Sequence, residues 1–188
     1  MSRENIDTIE DVNNFYMLTK QWLQNLANAV NELTKQGIVS NPLIPTDLLF
    51  LAPYEIDASL NNKLDHLSAA ASLQLFTAFE GSLRFDTTKR QRKARVGKDL
   101  KNIIRRKNLK DISVIDIINC WCNRYSIDKR TFSVMKGLFR YRHWLAHGRY
   151  WDNIGVPVSK SAITPEYIYS IMRDCFDEFN CHEPDFIW

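Results

Sequence analysis

The sequence predicts an all-α protein, a compact bundle of about five to six helices. Three observations lead there. Apolar residues recur at helical spacing nearly throughout, and no convincing run of alternating residues marks strands. Gly and Pro number only 6 each among 188 residues, too few for a loop-rich chain. Hydrophobic content of 45%, with 12% aromatic, is enough to build a core. The length suits a single domain spanning residues 1–188.

The first helix is expected to start at Asp7, where Asp-Thr-Ile-Glu offers a capping box with Glu10 at the third helical position. Ile9, Val12, Tyr16, Leu23, Leu26, Val30 and Leu33 form its apolar stripe, and Gly37 stops it. A loop over residues 38–58 follows, punctuated by Pro42, Pro45 and Pro53. The second helix is expected over residues 59–84 and the third over residues 90–108. In the third, Val96, Leu100 and Ile103 make a narrow inward seam under a wide cationic face. A fourth helix covers residues 113–124. A fifth begins near Asp128 and ends at Gly148. After a loop with Gly155 and Pro157, Thr164 caps a last helix that opens on Pro165.

Charge is distributed unevenly. Residues 84–110 carry twelve basic side chains against two acidic ones, a local charge of +10, whereas the whole chain is only +3. A basic element on an acidic body points to a polyanion such as nucleic acid. Arg90, Arg92, Lys93, Arg95, Lys98, Lys101, Arg105 and Arg106 are the candidate phosphate contacts, and RNA held this way is released by salt. No apolar stretch approaches the roughly 20 residues that span a bilayer. The N-terminal residues, MSRENIDTIEDVNN, do not read as a signal peptide, so a cytoplasmic protein without membrane attachment is expected.

Free thiols are then the default for Cys120, Cys122, Cys175 and Cys181. Cys120 and Cys122 point about 200° apart on a helix that turns about 100° per residue. A zinc site made from the four thiols and His182 stays the lesser alternative to buried or incidental cysteines, and no metal or cofactor is expected.

The segment FRYRHWLAHGRYW, residues 139–151, holds the densest chemistry. Met135, Leu138, Leu145 and Ala146 are expected on the buried face of its helix, and Arg142 falls within that stripe. A guanidinium there needs a carboxylate or an anionic ligand. In the second helix Glu80 lies between Phe76 and Leu83 in a similar apolar stripe. Glu80 is therefore expected to meet Arg142 across the helix interface, with a local pair to Arg84 as the alternative. His143 and His147 share a face with Lys136 and Arg140. Their i, i+4 spacing would also suit a metal, but Trp144 stands where the glutamate of a zinc-protease helix would be. Tyr141, Trp144 and Trp151 are candidates for stacking on unpaired bases, or for core.

The string RHWLAHG resembles the Arg-x4-His motif of the HEPN superfamily, the higher eukaryote and prokaryote nucleotide-binding helical domains. LQLFTAFEGSLR, ending at Arg84, is similar to the second-helix signature of those families. The resemblance covers a core of about residues 57–180 and leaves residues 1–56 as elaboration. It implies Arg142 and His147 as a catalytic pair, His143 as the accessory polar residue and Glu80 as the supporting acid. It further implies a metal-independent endoribonuclease that uses the 2′-hydroxyl and leaves 2′,3′-cyclic phosphate and 5′-hydroxyl ends. A homodimer would bring two motifs to one cleft, and an inhibitory antitoxin or regulatory partner in a toxin–antitoxin or phage-defence setting would restrain it. The chain departs from the pattern at Arg149, where some members carry a tyrosine that a partner modifies. The alternative reading is a non-catalytic RNA- or nucleotide-binding module.

Overall fold

In the computed structural model, residues 7–37, 51–90, 95–107, 111–127, 129–147 and 162–184 are described. Among them lie six helices and no strand: α1 (Ile9–Lys35), α2 (Pro53–Arg90), α3 (Arg95–Lys107), α4 (Val114–Tyr125), α5 (Lys129–Ala146) and α6 (Pro165–His182). The fold is all-α, as the apolar spacing predicts. None of these helices is long and apolar enough to cross a membrane.

The chain divides into two compact units, and both boundaries fall inside helices. One unit is Met1–Asn13 with Ser72–Trp188, and the other is Asn14–Ala71. In the smaller unit, the body of α1 runs antiparallel to the first half of α2. Tyr16 meets Ser68 through their hydroxyls at 3.5 Å, while Asn31 donates to Asp57 at 3.3 Å, so position rises along one helix as it falls along the other. Ala27, Val30 and Ile56 close its core, with Leu26, Leu33, Leu51 and Leu60 packed around them. Gly37 takes a left-handed conformation (φ 73°) just past α1 and its N–H bonds the Thr34 carbonyl, the expected stop.

Four expected boundaries shift: α2 runs on to Arg90 where an end at residue 84 is expected, α3 starts at Arg95 where residue 90 is expected, and the starts of α1 and α2 move for local reasons. The capping box of α1 belongs to Thr8 and Asp11, not Asp7 and Glu10. The Asp11 N–H donates to Thr8 Oγ1, and Asp11 Oδ2 accepts from the Thr8 N–H. The Thr8 hydroxyl also donates to Asp11 Oδ2 at 2.7 Å, and that bond first, with the Thr8 N–H second, holds the Asp11 carboxyl below its usual range. Glu10, one residue earlier, instead accepts from the Tyr169 hydroxyl of α6 at 3.5 Å, and burial raises its carboxyl. Pro53 does not sit in a loop; it opens α2, where a missing N–H costs nothing. Glu55 supports that start by accepting from the Ala52 N–H at 2.7 Å. Pro42, Pro45, Asp128, Gly148, Gly155 and Pro157 lie outside the described residues.

The larger unit is held by aromatic stacking across α2, α4, α5 and α6. Phe79 stacks on Phe176 with ring centroids 4.7 Å apart, and Trp121 on Phe179 at 4.6 Å. Phe76 and Phe79 both approach Phe139 of α5. Ser113 and Asp116 complete a capping box on α4, and Thr164 with Pro165 starts α6 as predicted. Lys107, bonded to Asp116 at 3.0 Å, is the main cause of that carboxyl lying below its usual range.

A buried ion-pair network closes the same unit. Arg90, the last residue of α2, donates to both oxygens of Asp86 at 2.7 and 2.8 Å and to Glu183 at 3.1 Å. The Arg90 side chain is only 10% exposed and Asp86 only 1%. Glu183 also accepts from the Val96 N–H of α3 and from the Tyr125 hydroxyl of α4. Burial first, and Glu183 second, push the Tyr125 hydroxyl up to about 12. Arg90 is thereby corrected from a phosphate contact to an internal structural ion.

Removing one member of such a network leaves a buried charge short of a partner. Asp86→Ala should therefore cost about 3 kcal/mol of unfolding free energy. Urea denaturation checks this, and a loss below about 1 kcal/mol, the scale of an exposed pair, would contradict it.

Candidate functional site

The candidate site lies wholly in the larger unit, between α2 and the C-terminal end of α5. Phe76, one turn before Glu80, and Phe79, immediately before it, pack on Phe139, which precedes the Arg-x4-His segment. That packing sets the two helices side by side and brings Glu80 and Arg142 together. The Arg142 guanidinium stands 3.8 Å from Glu80 Oε2, an ion pair beyond direct hydrogen-bond length.

The local pair to Arg84 exists as well. Arg84 donates through Nε to Glu80 Oε1 at 2.9 Å and through Nη2 to the Ile112 carbonyl at 2.9 Å. The two expected partners of Glu80 are thus not alternatives. One carboxylate oxygen holds Arg84, and the other faces Arg142. Arg84 also ties this carboxylate to the segment joining α3 and α4, which sequence reasoning missed because a backbone carbonyl carries no residue signature.

Arg142 is less buried than its place in the stripe suggests. Its side chain is 42% exposed, against 24% for Glu80. The buried face of α5 runs through Phe132, Met135, Leu138, Tyr141 and Leu145. Tyr141 takes the inward position next to Arg142, so Arg142 stands at the edge of the face. Ala146, expected inside, is exposed. Tyr141 belongs to the core and is withdrawn from base stacking. Trp144 is half-buried beside it, with ring centroids 5.5 Å apart, and Trp151 lies outside the described residues.

His143 and His147 are both exposed. Their ring centroids lie 4.2 Å apart with planes inclined by 56°. The His147 N–H bonds the His143 carbonyl at 3.1 Å, so a closed helical turn fixes their spacing. The site therefore presents two imidazoles and a guanidinium to solvent from one helix end, with a carboxylate behind the guanidinium.

On α3, Arg95, Lys98, Lys101, Arg105 and Arg106 are exposed, while Val96 and Leu100 are buried. Ile103 is half-buried, so the narrow seam and wide cationic face form as expected. Arg92 and Lys93 lie outside the described residues. The cysteines do not gather into a metal site. Among the described residues no three His, Cys, Asp or Glu side chains converge suitably. Cys120 and Cys175 are buried, Cys122 half-buried and Cys181 exposed. Burial pushes the Cys120 thiol up to about 11 and raises Cys122 and Cys175 too.

No protein-family profile matches this chain, and no curated protein or solved structure does.

The partial exposure of the Glu80 cluster bounds its contribution to stability. Glu80→Gln should lower the unfolding free energy by no more than about 1 kcal/mol, because such pairs are screened by water. A urea titration checks it, and a loss above about 3 kcal/mol would mean that the carboxylate is a buried structural ion instead.

Proposed function

We propose that the chain is a HEPN-type, metal-independent endoribonuclease acting in the cytoplasm. The observation that carries this reading is the grouping of His143 and His147 beside Arg142, with Glu80 Oε2 set 3.8 Å behind the guanidinium. Three tasks must be met when an RNA 2′-hydroxyl attacks its own phosphate. A proton leaves the hydroxyl, negative charge builds on phosphoryl oxygens, and the departing 5′-oxygen gains a proton. Imidazole is the side chain suited to moving protons near neutrality. A guanidinium is permanently charged and offers a planar fork to phosphate oxygens.

In this reading Arg142 stabilises the developing charge on phosphorus, the term that usually dominates such sites. His147 and His143 exchange protons with the attacking and leaving oxygens. Glu80 acts as a positioning residue. Its charge restrains Arg142, and its other oxygen is already engaged by Arg84, so the carboxylate cannot swing toward the substrate without breaking that bond. The exposed cations of α3 hold the RNA backbone. Two copies of the chain related by a two-fold axis would double the histidines around one cleft. An inhibitory partner, as in toxin–antitoxin or phage-defence systems, would restrain the activity in its own cell.

The test is RNA cleavage in the presence of EDTA. Native protein should cut, while Arg142→Ala and His147→Ala should each reduce the rate by at least about a hundredfold, the scale of one general acid–base or charge-stabilising group. Undiminished cleavage in both variants would overturn the assignment. Salt-sensitive RNA binding by a native protein that never cuts would favour the non-catalytic RNA-binding module.

A further inference from the structure

The His143–His147 pair has a geometry whose use is not confined to proton transfer. Residues four apart on a helix project to one side. Here the ring centroids are 4.2 Å apart, and both rings are exposed. Imidazole nitrogens bind zinc at about 2.0–2.1 Å, so two donors on one ion must lie within about 4 Å of each other. The ring centroids, 4.2 Å apart on one helical turn, place the two imidazoles side by side, so that rotation of the side chains can turn one nitrogen of each toward a shared ion. The hydrogen bond from the His147 N–H to the His143 carbonyl holds the turn beneath them, so little backbone freedom is lost on binding.

The surroundings narrow the class of ion. Among the described residues no third His, Cys, Asp or Glu joins the pair. The neighbours on the same face, Lys136 and Arg140, are exposed cations. Hard ions such as Mg2+ or Ca2+ require several oxygen ligands and gain nothing here. Borderline ions that favour neutral imidazole, namely Ni2+, Cu2+ and Zn2+, are the fitting class. Water or a substrate phosphate oxygen would complete the coordination.

We propose that His143 and His147 together chelate one divalent transition-metal ion of the Ni2+, Cu2+ and Zn2+ class. The ion bonds through one ring nitrogen of each histidine, with no redox step. On the ribonuclease reading, and only through it, the ion is an inhibitor. Its bonds occupy lone pairs that proton transfer requires, so metal and cleavage exclude each other.

The test titrates the full-length protein with Ni2+ by calorimetry and records Cu2+ electron paramagnetic resonance. Native protein should bind one Ni2+ per chain and show nitrogen splitting from two imidazoles. His143→Ala and His147→Ala should each weaken Ni2+ binding at least about tenfold, since even a lost supporting contact to a metal ligand costs that much. Both side chains are exposed, and circular dichroism verifies that the variants fold. A His66→Ala, His182→Ala double variant and Cys181→Ser should bind as the native chain does. Unchanged affinity in either single variant, or loss in the controls, would overturn the site. RNA cleavage is then measured with saturating Ni2+ and with EDTA. Cleavage in EDTA that Ni2+ suppresses supports inhibition, and cleavage undiminished by Ni2+ overturns it. Metal binding as expected with no cleavage under either condition removes the ribonuclease reading and leaves the site standing.

Discussion

The larger unit depends on the ion-pair network centred on Arg90. One guanidinium, nearly removed from water, binds Asp86 in its own helix and Glu183 beyond the end of α6. Glu183 in turn takes the Val96 N–H at the start of α3 and the Tyr125 hydroxyl at the end of α4. Four helices are thereby joined through two acidic side chains and one basic one. The network also lies against the aromatic core, since the Arg90 guanidinium sits 5.4 Å from the centre of the Trp121 ring. Buried charges are expensive to desolvate, and they are tolerated here because each one has a charged, hydrogen-bonded partner. The network fixes where the cationic helix α3 begins and thus how its exposed face is presented.

Charge in the candidate site is handled differently. Glu80, Arg84 and Arg142 are all partly exposed, so their attraction contributes little to stability. What the arrangement supplies is direction. Glu80 is committed to Arg84 by hydrogen bonds on one oxygen, and presents the other to Arg142 at a distance that leaves the guanidinium fork open. A guanidinium that was fully paired would have no N–H left for phosphate, and one with no counter-charge would be less restrained. The 3.8 Å separation is intermediate between these extremes.

Much of this was legible in the residues, and the parts that were not have physical causes. Helical spacing and caps such as Thr164 are local signals, and they identified the fold class and most helix starts. The meeting of Glu80 with Arg142 was also legible, because an opposite charge in each of two apolar stripes requires a partner. Arg90 was misread because a basic run looks uniform in sequence. Its inward turn depends on Glu183, 93 residues away, and no pattern announces that pairing. Ala146 and Arg142 were placed too deep because a stripe drawn at i, i+3 and i+4 leaves one position of rotational freedom, and the bulk of Tyr141 settled it. The start of α1 shifted by one residue because Asp7 and Thr8 both cap well, and only Thr8 finds Asp11 three residues on. The division into two units runs through the second turn of α1 and the middle of α2, where helical periodicity is unbroken.

In the proposed reading a cationic helix suits the RNA backbone, and an arginine with two histidines suits 2′-hydroxyl chemistry. The central claim is that the 2′-hydroxyl of the substrate is the nucleophile. It is tested most directly with an RNA oligonucleotide whose cleavage position is mapped and whose single 2′-hydroxyl at that position is then replaced by hydrogen. Cleavage should vanish at that bond alone, and the all-ribose control should yield a 2′,3′-cyclic phosphate. Cutting of the 2′-deoxy substrate at the same bond, or a 5′-phosphate product, would contradict the account.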